Sequence, residues 1–317
     1  MKRVPGAAAF AASGERGPLA LAIGNFDGVH VGHARLLTEA RARAARRGGR
    51  SAVLTFTPHP ARVLAPDKAP PLILSVKRRL DLIAGLGIEV AVIEPFTREL
   101  AAVEADAFVR DMLVATLGAR DVVVGYDFSF GRGRTGDARR LGELGTALGI
   151  DVAVIPPVTV DGRPCSSTEI RKLVRAGQTG EAAALLGRPY EIQGQVVRGA
   201  GRGRGLGFPT ANVAPDAELR PALGIYAARA EILDGPDAGT RRAAALSIGR
   251  NPTFAGADPA AAATVEAYLL DFDADLYGRR LRLEIGERLR DEQRFDSIDA
   301  LVAQIGRDVA RVRELSS

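Results

Sequence analysis

Leu19-Ala-Leu-Ala-Ile-Gly24-Asn-Phe-Asp-Gly-Val-His30-Val-Gly-His33 runs from an apolar stretch into a glycine-rich turn, and an Ala/Leu/Arg segment follows to Arg47. The apolar run over 19–24 predicts a short buried strand, and the segment over 32–47 predicts a helix. A strand that turns directly into a helix aims several backbone N–H groups, and the positive end of the helix dipole, at one point. That point is a ready anion site. His30 and His33, three apart at the helix start, share a face, and both can donate to phosphate oxygens. Gly24, Gly28 and Gly32 allow close approach of the backbone. A Walker loop would carry a lysine after its glycines, and none stands here. Such a histidine pair either caps and packs the turn or binds phosphate; the glycine-rich strand–helix junction favours phosphate.

Outward from this junction the first half alternates strands with helices. Further strands are predicted over 51–57, 89–93, 121–124 and 151–155. The predicted helices lie over 75–86, 104–117 and 137–148, and a Pro-rich loop spans 58–71. Five apolar runs separated by helices indicate an α/β Rossmann-like domain, a parallel sheet with helices on both faces. Ligands of such sheets sit at the carboxyl ends of the strands. Two later segments are expected at that edge. Gly125-Tyr-Asp-Phe-Ser-Phe-Gly-Arg-Gly-Arg-Thr-Gly-Asp137 follows the fourth strand, and Ser166-Ser-Thr-Glu-Ile-Arg171 follows the fifth and opens a helix. The serines can cap that helix or hold phosphate, with Arg171 neutralising charge.

From about Pro189 the texture changes to short alternating runs over 190–197, 225–233, 243–248, 264–270 and 281–289, the pattern of a small antiparallel barrel or sandwich. One helix over 297–314 closes the chain, with Leu301, Ile305, Val309 and Val312 on one face and Ser297 as its N-cap. The boundary is expected at 187/188, giving domains 1–187 and 188–317. Arg198-Gly-Ala-Gly-Arg-Gly-Arg-Gly-Leu-Gly-Phe-Pro-Thr-Ala-Asn212 packs glycines and arginines tightly enough to wrap phosphates through backbone N–H groups. Thr210 and Asn212, two apart, lie on one side of an extended chain and offer neutral oxygens suited to Mg²⁺ held together with substrate phosphates. Glu266 stands in the apolar strand 264–270, where a carboxylate is costly unless used or paired, and is the candidate general base. The acidic trio Asp271, Asp273 and Asp275 reads as turn chemistry.

The chain has 317 residues, room for two ordinary domains, with 46 % hydrophobic and 26 % charged residues, values that exclude a disordered chain. Its one cysteine, Cys165, excludes an internal disulfide framework and fits a reduced, cytoplasmic protein. No stretch approaches the ~18 apolar residues of a membrane helix, and the Ala-rich segment 7–12 is shorter than the ~7–15-residue apolar region of a signal peptide. Lys and Arg outnumber Asp and Glu 25 to 19 over residues 1–187 and stand 18 to 19 over 188–317. The basic first half suits an anionic partner: a nucleotide, nucleic acid or a membrane surface.

Gly24-Asn-Phe-Asp-Gly-Val-His-Val-Gly-His33, the Pro58-His-Pro60 turn, the glycine-rich segment 125–137 and Ser-Ser-Thr-Glu-Ile-Arg171 together resemble the adenylyltransferase module of bacterial bifunctional riboflavin kinase/FMN adenylyltransferases (FAD synthetases), nucleotidyltransferases with an HxGH signature. The resemblance implies that His30 and His33 bind ATP phosphates and stabilise charge developing at the α-phosphorus. It also implies ATP contacts from Gly24, Asn25, Phe26, Asp27, Gly32 and Asp127, with Ser167, Thr168 and Arg171 at the β/γ end. Asp127 stands where some members carry Asn. The nucleophile would be the FMN phosphate, so no protein nucleophile is needed. The second half, with Gly224-Ile-Tyr-Ala227, Ser247-Ile-Gly-Arg-Asn-Pro-Thr-Phe254 and Leu289-Arg-Asp-Glu-Gln-Arg-Phe295, resembles the riboflavin kinase module of the same family. That implies a six-stranded Greek-key barrel and ATP contacts from Gly203, Arg204, Gly207, Pro209 and Thr210. It further implies a Mg²⁺ site at Thr210 and Asn212, Glu266 as base toward the ribityl 5′-hydroxyl, and flavin contacts from Arg290 and Phe295. Arg198 and Tyr268 stand where many members carry His.

The expected partners are therefore ATP, riboflavin and FMN, with Mg²⁺, and neither nucleic acid nor membrane, in a monomer or weak homo-oligomer. Three rival readings are a lone kinase or lone adenylyltransferase on the same fold, a nucleic-acid-binding protein and a flavin-binding regulator. The nucleic-acid reading would show salt-sensitive oligonucleotide binding. A regulator would have no flavin chemistry for Glu266→Gln to disturb.

Overall fold

The computed structural model describes residues 1–14, 17–199, 202–250 and 263–316. Asn251 to Phe254 of the kinase resemblance, and the side chain of Arg204, lie outside the described residues. The chain forms two compact units. One holds Met1–Pro70 and Val76–Cys165, the other Pro71–Ser75 and Ser166–Ser317.

In the first unit the elements are β1 (Lys2–Val4), α1 (Ala7–Ala12), β2 (Leu19–Ile23), α2 (Val31–Arg47), β3 (Arg50–Thr57), α3 (Pro60–Leu64), α4 (Val76–Gly85) and β4 (Val90–Pro95). Then come α5 (Arg98–Ala101), α6 (Ala105–Ala107), a π-helix (Phe108–Thr116), β5 (Ala119–Gly125), the two-residue strands β6 (Ser129–Phe130) and β7 (Gly136–Asp137), α7 (Ala138–Leu148) and β8 (Asp151–Ile155). The hairpin strands β9 (Thr159–Val160) and β10 (Arg163–Pro164) follow. The main sheet is wholly parallel in the order β1-β4-β3-β2-β5-β8. Leu19, Leu21 and Ile23 of β2 share a core with Leu54, Val90, Val92, Val122 and Val124, packed by Phe10, Phe108, Val109, Leu113 and Leu141 from helices. The intervening residues Ala20, Ala22, Val53, Ala91 and Val123 are also buried. Successive strand residues point to opposite faces, so both faces of the sheet are covered.

Periodicity predicts five strands, and the sheet has six. The extra one, β1, pairs at the edge with β4 through only three residues, Lys2 to Val4 against Val90 to Val92, too few to display a period. The helix expected over 104–117 is interrupted, with α6 passing into the π-helix at Phe108.

In the second unit α8 (Ser167–Arg175) and α9 (Thr179–Leu186) precede a closed antiparallel barrel. Its strands are β11 (Tyr190–Val197), β12 (Ala211–Pro215), β13 (Gly224–Ile232), β14 (Arg241–Arg250), β15 (Ala263–Leu269) and β16 (Arg280–Arg290), with the short α10 (Arg202–Gly205) between β11 and β12. The barrel closes in the order β11-β12-β15-β14-β13-β16. Thr179 Oγ1 donates to Gly286 O at 2.6 Å, tying α9 to the barrel. The helix α11 (Ile298–Ser316) begins where expected, with Ala300 N donating to Ser297 Oγ at 3.1 Å. Its Val309 and Val312 pack on Tyr268, Leu270 and the alanines Ala227, Ala243 and Ala245, whose small side chains leave room for the helix.

Leu54 is fully buried in a central strand. Leu54→Ala is expected to cost the first unit about 2–5 kcal/mol, read as an earlier urea transition of that unit.

Candidate active sites

The chain runs from β2 to β3 and β4 on one side of the sheet, then returns to place β5 and β8 on the other. The strand order therefore reverses beside β2, and a ligand of an open parallel sheet binds at the carboxyl edge of such a reversal. The loop over residues 24–30 leaves β2 at that edge. It is tightly turned: Phe26 has φ +52°, Gly28 +90° and Val29 +42°. A β-branched residue in the left-handed region is held there by its surroundings. Phe26 and Asp27 are buried, and Asn25 Oδ1 is a buried oxygen with no hydrogen-bond partner among the described residues.

His30 caps α2, its Nδ1 accepting from His33 N at 3.3 Å. The two imidazoles stack with centroids 3.6 Å apart and planes at 19°, and Phe26 meets His33 edge-on at 5.2 Å. Thus the pair does cap the turn and pack, as one of its two readings has it, and it also stands at the anion-attracting end of a 17-residue helix. A Cβ on Gly32 would come within 3.1 Å of the His30 ring, so glycine there lets the ring lie flat on the turn. Cys165 Sγ lies 3.4 Å from His30 Nδ1 and accepts from Gly32 N at 3.5 Å. Burial pushes the Cys165 thiol up, and the N–H groups facing it only partly offset this.

Beside this loop, β5 ends at Gly125, where Tyr126 and Asp127 are exposed and Asp127 Oδ1 folds back toward Gly125. Phe128 and Phe130 turn inward and stack at 5.4 Å. Asp137 caps α7 through Arg140 N at 2.7 Å. In the second unit Ser166 caps α8, accepting from Glu169 N at 3.2 Å, which leaves Ser167 and Thr168 in the first turn of α8. Arg171 is buried and its Nε donates to Pro71 O at 2.8 Å.

Within the second unit, Glu266 pairs directly with Asn212 across β12 and β15 and with Ser247 across β14 and β15. Directly opposed residues of antiparallel strands share a face. Thr210 Oγ1 donates to Glu266 Oε2 at 3.4 Å. The sequence places Glu266 in an apolar strand, but the apolar side of β15 is Val265, Ala267 and Leu269. Glu266 belongs to the half-buried outward row with Thr264 and Tyr268. Its surroundings are thus the polar outer wall rather than the barrel core. Above it the glycine-rich loop folds back: Leu206 N and Phe208 N both donate to Gly203 O, at 3.1 and 3.0 Å. A Cβ on Gly203 would lie 2.4 Å from Phe208 O, and one on Gly199 would lie 2.2 Å from Asn212 Nδ2. Only glycine lets this loop lie against Thr210 and Asn212. Gly207 has φ +81°, and Phe208 meets Tyr268 edge-on at 5.4 Å. Among the described residues no cluster of three or more His, Cys, Asp or Glu could hold a metal. The oxygens of Thr210, Asn212 and Glu266 are a donor set that fits Mg²⁺ shared with phosphates.

The FAD synthetase family matches residues 13–169, and the riboflavin kinase family matches 186–316. A bifunctional riboflavin kinase/FMN adenylyltransferase of Escherichia coli (strain K12) is 38 % identical, covering 93 % of this chain and 91 % of that protein. The chain belongs to the bifunctional riboflavin kinase/FMN adenylyltransferase family. The relative of that name from Pseudomonas fluorescens is 39 % identical over 93 % of this chain and 92 % of its own. A solved structure named a macrolide-efflux protein, from Streptococcus pneumoniae, is also similar. It has a TM-score of 0.84 and 29 % identity and covers 99 % of both chains. Among the described residues of this family member, no helix is long and apolar enough to cross a membrane. The FAD synthetase match takes in His30, His33, Ser167 and Thr168 but ends before Arg171, and the riboflavin kinase match takes in Thr210, Asn212 and Glu266.

Two buried polar anchors beside these loops escape sequence reasoning. Arg79 is buried, its Nη1 donating to Asn25 O at 2.8 Å; nothing in the arginine-rich run 77–79 distinguishes it from solvated neighbours. Asp308 in α11 receives Arg290, through Nε at 3.0 Å to both carboxylate oxygens and Nη2 at 2.7 Å, and also accepts from Gln304 Nε2 at 2.9 Å. Its spacing of one helical turn from Gln304 is the only signal the sequence offers. Arg290 also donates to Asp291 O and lies 5.9 Å from the Phe295 ring. The expected flavin-contacting loop is therefore anchored on the closing helix.

Removing one partner of a buried ion pair leaves the other uncompensated. Asp308→Ala is expected to destabilise the second unit by about 3 kcal/mol, seen as a lower melting midpoint. The double change Asp308→Leu with Arg290→Met should recover much of that stability, read as a melting midpoint above that of Asp308→Ala.

Proposed function

We propose that this family member converts riboflavin to FAD in two ATP-dependent steps, with residues 188–317 forming FMN and residues 1–187 adenylylating it. The observation that carries the reading is that both constellations are assembled in one chain. The stacked His30–His33 pair sits at the strand-order reversal of the first unit, and Thr210, Asn212 and Glu266 meet on one barrel face in the second.

In the kinase step the ribityl 5′-hydroxyl of riboflavin attacks the γ-phosphorus of ATP and ADP leaves. Glu266 takes the hydroxyl proton, its carboxylate steadied by Thr210. The backbone N–H groups of Gly203, Arg204 and Gly207, with Pro209 fixing the exit of the loop, would wrap the phosphates. Thr210 and Asn212 would hold Mg²⁺, which when bound offsets phosphate charge. The flavin would lie against the loop carrying Phe295, which Arg290 holds to Asp308.

In the adenylyl step an oxygen of the FMN phosphate attacks the α-phosphorus of a second ATP. The new bond is the pyrophosphate linkage of FAD, and inorganic pyrophosphate leaves. The chain supplies no nucleophile. It supplies position and charge: imidazole donors from His30 and His33, and backbone donors from Gly24, Asn25, Phe26, Asp27 and Gly32 at the positive end of α2. Asp127, exposed beside this loop, would face the nucleotide. Ser167, Thr168 and Arg171 stand in the other compact unit, and their assignment to the β/γ-phosphates rests on the resemblance alone. The partners are small molecules, ATP, riboflavin and FMN, and we place the enzyme in the cytoplasm.

The test is to incubate the full chain with riboflavin and Mg–ATP and separate the flavins by chromatography. FMN followed by FAD is expected; riboflavin that emerges unchanged, or FMN that never becomes FAD, overturns the proposal. His33→Ala is expected to lower FAD formation by about 10²-fold or more while FMN formation continues. Glu266→Gln is expected to lower FMN formation by about 10²–10⁴-fold, yet to leave FAD formation from supplied FMN at the unaltered rate.

A further inference from the structure

Beneath the histidine loop the first unit buries a cation that the two-step chemistry does not use. Arg79 in α4 is 3 % exposed. Its Nη1 donates to Asn25 O at 2.8 Å and its Nη2 to Phe56 O at 3.4 Å, and Thr55 Oγ1 donates to the same Asn25 carbonyl at 3.3 Å. Burial pulls the guanidinium pKa below its ordinary value, and the charge of nearby Asp27, itself buried, opposes that pull. A guanidinium stays protonated even so. The loop thus rests on a fixed positive charge.

The peptide joining Asn25 to Phe26 is planar and trans, so its two ends cannot be aimed independently. Drawing the Asn25 carbonyl inward, onto Arg79 and Thr55, turns the Phe26 N–H the opposite way. The sign of this choice matters at an anion site, because the carbonyl end of a peptide repels phosphate and the N–H end attracts it. The next residue, Phe26, enters the left-handed region at φ +52° and sets its ring edge-on against His33 at 5.2 Å. An error in the orientation of this one peptide is therefore passed on to an imidazole. Left-handed φ at Phe26 and Val29 is conformationally costly and persists only where the surroundings over-determine it. Two side-chain donors on one carbonyl are such a determinant.

We propose that Arg79 is a positioning residue for adenylyl transfer: by holding the Asn25 carbonyl inward it presents the loop over 24–33 to the triphosphate with its N–H groups and imidazoles forward. This rests on the reading above, in which that loop binds ATP.

The experiment compares Arg79→Met and Arg79→Lys with the unaltered full chain, measuring kcat and KM for ATP in FAD formation from FMN. The riboflavin kinase rate and the thermal midpoint of each preparation serve as controls. Arg79→Met keeps the bulk and loses both donors, and its kcat/KM for ATP is expected to fall by about tenfold or more with the kinase rate unchanged. Arg79→Lys keeps the charge and one donor toward Asn25 O, so it should recover most of that loss, with KM for ATP still raised about threefold. A purely structural role would lower the thermal midpoint but leave kcat/KM of the folded enzyme unchanged; that result overturns the inference. Should Arg79→Met fail to fold, Arg79→Lys decides, and a KM and kcat equal to those of the unaltered chain overturn it. Loss of FAD formation in the unaltered chain would refute the parent reading. FAD formation that is indifferent to both substitutions refutes this inference alone.

Discussion

Parallel strands leave their hydrogen-bonding partners no choice of side, and the pairing of β2 with both β3 and β5 determines where the first unit can bind. Because the chain fills one flank of the sheet before crossing to the other, the connections on either side of β2 diverge and a crevice opens at the carboxyl edge. Into that crevice the chain sends the tightly turned strand-to-helix transition over 24–30. The demands on this transition conflict. Backbone N–H groups must face outward, yet Phe26, Asp27 and His30 are buried. Left-handed backbone at three positions resolves the conflict, and buried donors beneath the loop hold it in place.

The second unit meets a similar demand with different means. A closed barrel fills its interior with side chains, so the polar groups that meet here stand on the outer wall. Asn212, Ser247 and Glu266 share that wall through strand pairing alone, and Gly199 and Gly203 of the glycine-rich loop lie against Asn212 and Thr210. Strands give the carboxylate a fixed position, whereas the loop contributes backbone that can close around phosphates. The outer wall is also where α11 packs, against alanines of β13 and β14, so the helix and the site share one surface of the barrel.

Much of this was legible in the residues. The apolar runs of β2, β3, β4, β5 and β8 are long enough to show themselves, and the glycine-rich turn after β2 announces its geometry. The extended spacing of Thr210 and Asn212 anticipates that they share a side, although β12 itself, with Val213 as its one large apolar side chain, does not stand out as a strand. What escaped depends on contacts between distant segments. Arg79 differs from Lys77 and Arg78 only in the direction its helical position gives it, which a local pattern cannot resolve. Glu266 reads in the sequence as a carboxylate in an apolar strand, whereas a strand with alternating burial has a polar side, and Glu266 occupies it. The Arg290–Asp308 pair joins a strand end to a helix across a turn whose length carries no periodic signal.

The edge strand β1 has a consequence for how the protein is made. Lys2 to Val4 lie against Val90 to Val92, and Lys2 N donates to Glu89 O. Non-local pairing of this kind closes late. Lys2 to Val4 therefore join the sheet after β4 has formed. Until then the flank of β4 lacks its cover, and an exposed strand flank invites pairing with another chain.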